Sequence, residues 1–133
     1  MEIEFDFRRE KSSLFDEILR PVARVTLSHK NIVIPQVFYV DSGADITLIP
    51  RSIGELLLLE SPNTQEIVDI KGIGEKGIPM VLRKVKLLIG SFITDIRLGW
   101  SLIEDVPLLL GREDFFNHFD VIFAKNKKTV FKI

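Results

Sequence analysis

The sequence predicts a mostly β, barrel-like domain, and three features of the chain support this fold class. Short apolar stretches recur along the 133 residues, several with the two-residue alternation of half-buried strands. Turn-forming residues separate these stretches and leave room for only one or two short helices. Hydrophobic residues make up 46% of the chain, which is enough for a proper core. We expect one domain over residues 1–133, with residues 1–20 forming an N-terminal strand and a connector.

The first half of the chain contains three stretches with strand character and one with helical character. Isoleucine and phenylalanine alternate with charged residues from residue 3 to residue 7, which is typical of a strand with one buried face. Pro50 suits the first position of a helix, because the N–H that proline lacks is not needed there. The sequence predicts strands over residues 3–7, 23–27 and 32–40, a hairpin turn over 28–31 and a short helix over 51–58.

The second half of the chain contains further short strands. Residues 81–89 fit either a strand or one face of a helix, and we favour a strand because Pro79 and Gly90 bracket them. Lysines and an asparagine separate two apolar stretches near the C-terminus and predict a terminal hairpin. The sequence predicts strands over residues 67–70, 81–89, 92–98, 121–123 and 129–131, an acidic loop over 100–106, a short apolar run over 107–110 and a helix over 113–118.

Composition and charge exclude several classes of function. The formal net charge of −1 argues against a nucleic-acid partner. The chain has no cysteine, which excludes disulfides, thiolate metal sites and a cysteine nucleophile. Residues 1–10 lack the apolar region of a signal peptide, and the leucine run over 56–59 is far too short for a membrane span. We therefore expect a soluble, cytoplasmic protein with no membrane partner.

The glycine-rich segment over residues 72–77 matches the G-x-G-x-x-G pattern of dinucleotide-binding proteins, and Asp95 lies near the expected distance of a ribose-binding acid. That pattern requires a helix to begin at the loop, so that the helix N-terminus can hold a pyrophosphate. Pro79 follows here, and both flanks have strand character. A glycine-tipped hairpin therefore fits the segment better, since glycine accepts positive φ angles and close approach to a ligand backbone.

A carboxylate follows directly after a buried strand at Asp41-Ser42-Gly43. The apolar stretch over residues 37–40 stops at Asp41, and a second apolar stretch over 46–49 follows. An isolated segment of this kind most often forms a polar turn between two strands. The apolar flanks place the carboxylate at the edge of the core, where an unpaired carboxylate is costly unless something pairs with it or hydrogen-bonds to it. Together with the continuation Ala44-Asp45, this favours a functional site.

A second buried strand ends at a glycine in Pro107-Leu108-Leu109-Leu110-Gly111-Arg112. Acidic residues follow and would occupy the first turn of a helix, where they interact favourably with the helix dipole. Taken alone, this segment fits a core strand and the start of a helix. This segment indicates a function only in combination with the other two segments.

In this order and spacing, the three segments resemble the retropepsin-type aspartic proteases, the single-lobe family of retroviral proteases and their cellular and prokaryotic relatives. In that family an apolar strand leads into D-[ST]-G-A, a glycine-tipped flap follows, and two apolar residues and a glycine precede a helix. The matching stretches are residues 40–45, 71–74 and 109–112, and the resemblance extends from Pro21 to the C-terminus. It implies a closed acid-protease lobe with a β-hairpin flap.

The resemblance also implies a mechanism. The chain carries one D-S-G element, so a homodimer would bring together two copies of Asp41 on its two-fold axis. The pair would share one proton, activate a water molecule and hydrolyse a peptide bond without a metal or other cofactor. Ser42 would hydrogen-bond across the dimer beneath the acids, and Leu110 and Gly111 would support the active site.

Further site residues follow from the same resemblance. An extended peptide or protein would bind along the site through strand-like hydrogen bonds. An ion pair with Arg112 would orient Asp45, and the flap around Ile73 and Gly74 would close over the peptide. The implied substrate-binding residues are Gly43, Ala44, Asp45, Ile73 and Gly74.

A second hypothesis has a different functional class. Glu75 and Lys76 stand where retroviral flaps often have further small residues. Under this hypothesis the chain is a catalytically silent dimerisation or peptide-binding module that keeps the protease fold. Such a module is possible because a fold does not determine the function of a protein. Cleavage of peptides would separate the two hypotheses.

Overall fold

The computed structural model describes residues 1–71 and 77–133 and has the mostly β architecture that the sequence predicts. Helices are few and short in this part of the chain. In chain order the elements are β1 (Glu2–Asp6), β2 (Arg8–Ser12), β3 (Asp16–Arg20), β4 (Val22–His29), β5 (Ile32–Val40), β6 (Thr47–Ile49), α1 (Arg51–Leu56), a 3₁₀ helix (Thr64–Glu66), β7 (Val68–Ile70), β8 (Ile78–Ile89), β9 (Phe92–Ser101), β10 (Leu109–Leu110), a second 3₁₀ helix (Phe116–His118), β11 (Asp120–Ala124) and β12 (Lys128–Lys132).

Six of the described strands close into a barrel. Their order is β4, β5, β10, β6, β9 and β8, and β8 pairs back with β4 to complete the ring. Strand β7 extends the sheet beyond β8. Side chains that point into the barrel, such as Leu27, Phe38, Leu87 and Ile96, are fully buried. The apolar alternation that predicts these strands therefore marks the side that faces the core.

The terminal hairpin predicted near the C-terminus is confirmed. Strands β11 and β12 pair antiparallel, and β1 adds to the other edge of β12, so that β12 lies in the middle of a three-stranded sheet. Phe131 of β12 is fully buried and forms edge-on aromatic contacts with Phe5, Phe115 and Phe119. These contacts hold the terminal sheet against the barrel.

The N-terminal segment differs from the expected connector. Strands β2 and β3 form a two-stranded sheet of their own, with Arg8 opposite Arg20. The hydroxyl of Ser12 accepts hydrogen bonds from the N–H groups of Leu14 and Phe15 and orders the turn. The hairpin escaped prediction because charged residues lie on both of its faces and hide the alternation of the strands.

The predicted helix after Pro50 is confirmed, with corrected ends. Pro50 is the N-cap with an extended ψ of 165°, one position before the predicted place, and the helix ends at Leu56 because Leu58 has a φ of 57°. The carboxylate of Glu104, in the predicted acidic loop, accepts hydrogen bonds from the N–H and hydroxyl groups of Ser52. These bonds hold the pKa of Glu104 below its ordinary value.

The helix predicted over residues 113–118 is wrong in extent. Only Phe116–His118 are helical, as one 3₁₀ turn, and Asp114 has a φ of 66°. A non-glycine residue in the left-handed region interrupts helical geometry. The carboxylate of Asp114 bonds to Arg97 of β9 instead of to its own helix N-terminus, so a tertiary contact overrides the local pattern.

Candidate active site

The barrel places Asp41 directly after the end of β5. Strand β10 runs parallel to β5, with Val40 opposite Leu110, and the Asp41 N–H donates to the Leu110 carbonyl at 3.1 Å. On the other side, the Val40 N–H donates to the carbonyl of Pro21 at 3.0 Å. The backbone of Asp41 is therefore held between two segments, and its carboxylate lies at the edge of the core.

The turn after Asp41 holds its carboxylate. Oδ1 of Asp41 accepts a hydrogen bond from the Gly43 N–H at 2.9 Å, and the Ala44 N–H donates to the Asp41 carbonyl at 3.2 Å. A Cβ atom at Gly43 would lie 3.3 Å from Oδ1 and would crowd the carboxylate. Ser42 and Gly43 are exposed, whereas Asp41 is half-buried. Within the described part of the chain, Asp41 makes no ion pair.

Gly111 allows the two motif segments to touch. Its N–H donates to the hydroxyl of Thr47 at 3.1 Å in a buried contact. A Cβ atom at Gly111 would lie 2.3 Å from the carbonyl carbon of Ile46, closer than real Cβ contacts occur. Two more backbone bonds follow, from Arg112 to the Ala44 carbonyl and from Glu113 to the Asp45 carbonyl, both at 2.9 Å. The two segments predicted to form one site are thus joined along their backbones.

The Arg112 side chain lies against Asp45. One guanidinium nitrogen of Arg112 donates to Oδ1 of Asp45, and both side chains are exposed to solvent. An exposed ion pair of this kind contributes at most about 1 kcal/mol to stability. Its position at the rim, four residues after Asp41, leaves the Asp45 carboxylate accessible beside the turn.

The sequence did not predict a second ion pair that lies near the site. The guanidinium of Arg97 donates to both carboxylate oxygens of Asp114 at 2.7 and 2.8 Å, and the Arg97 N–H adds a third bond at 2.8 Å. The hydrogen bond from Arg97 lowers the pKa of Asp114 to about 2. This clamp ties the turn after Gly111 to β9. The only local signal was an acid two residues after Arg112, which fits a helix start equally well.

Two cavities meet at Asp41. The larger one, of about 740 Å³, is lined by the charged side chains of Asp41, Asp45 and Lys71 and otherwise mainly by apolar side chains. The second, of about 510 Å³, is lined by Asp41, Tyr39, Glu10 and Arg20 among others. Both lie in the size range of ligand sites, about 300–1,000 Å³. The apolar side chains of the larger cavity are Ala44, Ile46, Leu48, Ile70, Ile78 and Leu109.

The tip of the predicted flap, with Ile73 and Gly74, lies outside the described residues. Its flanks are described, and β7 pairs antiparallel with β8 so that Ile70 stands opposite Ile78. A strand therefore follows the glycine-rich segment. Dinucleotide binding by this pattern requires a helix at that position, so the structure does not meet the requirement. Both Ile70 and Ile78 face the larger cavity beside Asp41.

Two properties of the described residues bear on other functions. They contain no group of three or more histidine, cysteine or acidic side chains arranged to hold a metal ion. Nor does any helix among them have the length and apolar character needed to cross a membrane.

Known proteins share the fold of this chain without sharing much of its sequence. The sequence matches no protein-family model and no curated protein. A retropepsin-like aspartic protease from Rickettsia conorii superimposes with a TM-score of 0.60 at 16% identity, over 98% of this chain and 91% of that one. EIAV protease in complex with the inhibitor HBY-793 gives 0.53 at 19% identity, over 74% and 86%.

A third structure comes from a different kind of protein. The retroviral protease-like domain of Ddi1 from Leishmania major gives a TM-score of 0.52 at 13% identity, over 80% of this chain and 83% of that one. The chain thus shares its fold with retroviral, bacterial and eukaryotic structures. This chain has the single-lobe fold of the retropepsin-like aspartic proteases.

Proposed function

We propose that this chain is an aspartic endopeptidase that acts as a homodimer, with Asp41 of each copy forming the catalytic pair. The observation that carries the proposal is the position of the Asp41 carboxylate. It lies where two cavities meet, half-buried and fixed by the Gly43 N–H, on a fold shared with aspartic proteases.

The need for a second copy follows from chemistry. Each chain supplies one D-S-G turn, whereas hydrolysis by this route needs one carboxylate to take a proton and another to donate one. A two-fold axis beside Asp41 would supply both from identical surfaces. Two facing carboxylates cannot both remain ionised without strong repulsion, so the pair holds one proton between them.

The reaction proceeds through general acid–base catalysis. The ionised Asp41 removes a proton from a water molecule held between the pair, and that water attacks the scissile peptide carbonyl. The protonated Asp41 donates a hydrogen bond to the carbonyl oxygen, on which negative charge develops. When the tetrahedral intermediate collapses, the C–N bond breaks and the Asp41 that took the proton from water gives it to the leaving amine nitrogen. The bond from the Gly43 N–H fixes one oxygen of each carboxylate and so limits how the pair can turn. Ser42 donates across the dimer beneath the acids, and Leu110 and Gly111 hold the turn from behind.

The substrate is an extended peptide with apolar side chains beside the scissile bond. The larger cavity supports this choice, because most of its lining residues are aliphatic. The Gly43 carbonyl accepts a hydrogen bond from the substrate main chain, Ala44 lines the cavity beside it, and Arg112 keeps Asp45 oriented toward the substrate. Ile73 and Gly74 cover the peptide from the flap.

The test is cleavage of a broad peptide library by the wild type and by Asp41→Asn. We expect complete loss of cleavage in the variant, inhibition of the wild type by pepstatin-type compounds, and preference for apolar residues at the cut. Asp95→Asn, on the exposed side of β9, is the control and should cleave like the wild type. Cleavage that persists in Asp41→Asn would reject the proposal. A wild-type dimer that cuts nothing would favour the silent binding module.

A further inference from the structure

The tip of the β2–β3 hairpin presents two adjacent apolar side chains to solvent. Leu14 is 84% exposed and Phe15 is 73% exposed, the highest values among the large hydrophobic residues of the described chain. Exposed aromatic and aliphatic side chains grouped in this way mark interaction surfaces. Neither residue belongs to the catalytic turn or to the lining of the two cavities beside Asp41.

The tip is an ordered turn. Ser12 accepts from the N–H groups of both Leu14 and Phe15, and the Glu17 N–H donates to the Phe15 carbonyl at 2.6 Å. Asp16 takes a φ of 61° to close the turn. The two apolar side chains are therefore held in place before any partner arrives, which lowers the entropy cost of binding.

The base of the same hairpin is anchored beside the catalytic turn. The Tyr39 hydroxyl, two residues before Asp41 on β5, donates to Glu10 at 2.7 Å. Arg20 forms an ion pair with Glu10 at 3.1 Å, and the Arg8 guanidinium lies 5.1 Å from the centre of the Tyr39 ring. Glu10 and Arg20 line one cavity together with Asp41. The base of the hairpin therefore lies beside Asp41, where the two-fold axis is proposed.

We propose that the β2–β3 hairpin is a dimerisation arm whose tip, Leu14 and Phe15, packs on a second copy of this chain. The inference rests on the proposed homodimer, because the axis beside Asp41 brings the partner surface next to the hairpin base. Five residues per strand give the arm a length of about 17 Å, so its tip lies well away from the anchored base. Two-fold symmetry uses the contact twice, once for each arm.

Two features of the fold favour a second copy over other occupants. Strand β12 bonds to β1 and β11 along both edges, so the C-terminal strand has no edge on which a partner strand could add. The two-stranded hairpin pairs with no other described strand, and such hairpins are marginally stable alone in water. Packing of the tip on the partner copy of the proposed homodimer would supply the missing apolar contact.

The test is the dimer dissociation constant of the variant Leu14→Ser/Phe15→Ser, measured by sedimentation equilibrium. We expect it to rise at least about tenfold, equivalent to about 1.4 kcal/mol, with the monomer fold unchanged by circular dichroism. Cleavage should be lost at low protein concentration and recovered at high concentration, where dimers form again. The matched control is Val33→Ser/Ile93→Ser, which removes apolar side chains of 63% and 61% exposure from β5 and β9 and should leave the constant within about twofold.

The outcomes separate this proposal from the proposed function. A wild type that dimerises and cleaves, with an unchanged dissociation constant in the tip variant, would overturn the arm alone. An unchanged constant with a raised KM would also overturn it, because the tip would then contact the substrate. A wild-type dimer that cleaves nothing, but weakens in the tip variant, would support the arm and reject the protease.

Discussion

The Arg97–Asp114 clamp yields the most quantitative prediction of the structure. Asp114 ties the turn after Gly111 to β9 through three hydrogen bonds from Arg97. The substitution Asp114→Asn keeps an acceptor oxygen for the Arg97 N–H and removes the negative charge. It therefore isolates the charged part of the contact with little change in shape.

The expected loss of stability can be bounded from the pKa. That of Asp114 is about 2 instead of 3.8, and each pKa unit corresponds to about 1.4 kcal/mol, so the upper limit is about 2.5 kcal/mol. The Asp114 side chain is 25% exposed and that of Arg97 is 58% exposed, and solvent screens the pair. We expect Asp114→Asn to lower the free energy of unfolding at pH 7 by about 1–2 kcal/mol.

The sign of the pH dependence follows from the same shift. The pKa of Asp114 is lower in the folded chain than in the unfolded chain, so the contact stabilises the fold above pH 3.8. This contribution disappears as the pH falls through about 2, and about half of it is gone near pH 3. The stability difference between the wild type and Asp114→Asn should shrink over that range.

The assay is urea unfolding of both proteins at pH 7, 5 and 3. Asp95→Asn is the control, because Asp95 pairs with Lys86 at 3.1 Å in an exposed site and should cost less than about 0.5 kcal/mol. Equal losses for the two variants, or a difference for Asp114→Asn that stays constant down to pH 3, would refute the reasoning.

Three further predictions concern single contacts. Gly111→Ala should lower the free energy of unfolding by about 3 kcal/mol in urea, because its Cβ would strike the Ile46 backbone; an unchanged midpoint would contradict this. Thr129→Val should raise the free energy of unfolding by about 1 kcal/mol and with it the melting temperature, since the buried hydroxyl of Thr129 has no partner among the described residues; a lower melting temperature would count against it. Tyr39→Phe should raise the pKa of Glu10 in an NMR titration, because the tyrosine hydroxyl is the main group lowering it; an unmoved pKa would reject that assignment.

Local sequence patterns were sufficient where a residue's neighbours decide its structure. Alternating apolar residues marked most barrel strands, and the abrupt change from Val40 to Asp41 marked the strand end at the site. The small residues after Asp41 and the glycine at Gly111 indicated close backbone approach, which the contact with Ile46 explains. These features depend on sterics and burial within a few residues.

Features that depend on distant partners could not be predicted in this way. Asp114 adopts a positive φ because Arg97, far away in the sequence, binds its carboxylate. Glu104 caps the helix at Ser52 although 52 residues separate the two, and no local pattern connects them. The β2–β3 hairpin is held by the contact between Glu10 and Tyr39, which only the folded chain brings together.

The central claim is that two copies of Asp41 form one catalytic site. The most direct test adds increasing Asp41→Asn protein to a fixed amount of wild type, under conditions of subunit exchange, and measures peptide cleavage. Mixed dimers would carry a single catalytic acid, so we predict that the rate falls toward zero as the variant becomes the excess partner. A wild-type rate that stays constant while mixed dimers form would contradict the claim.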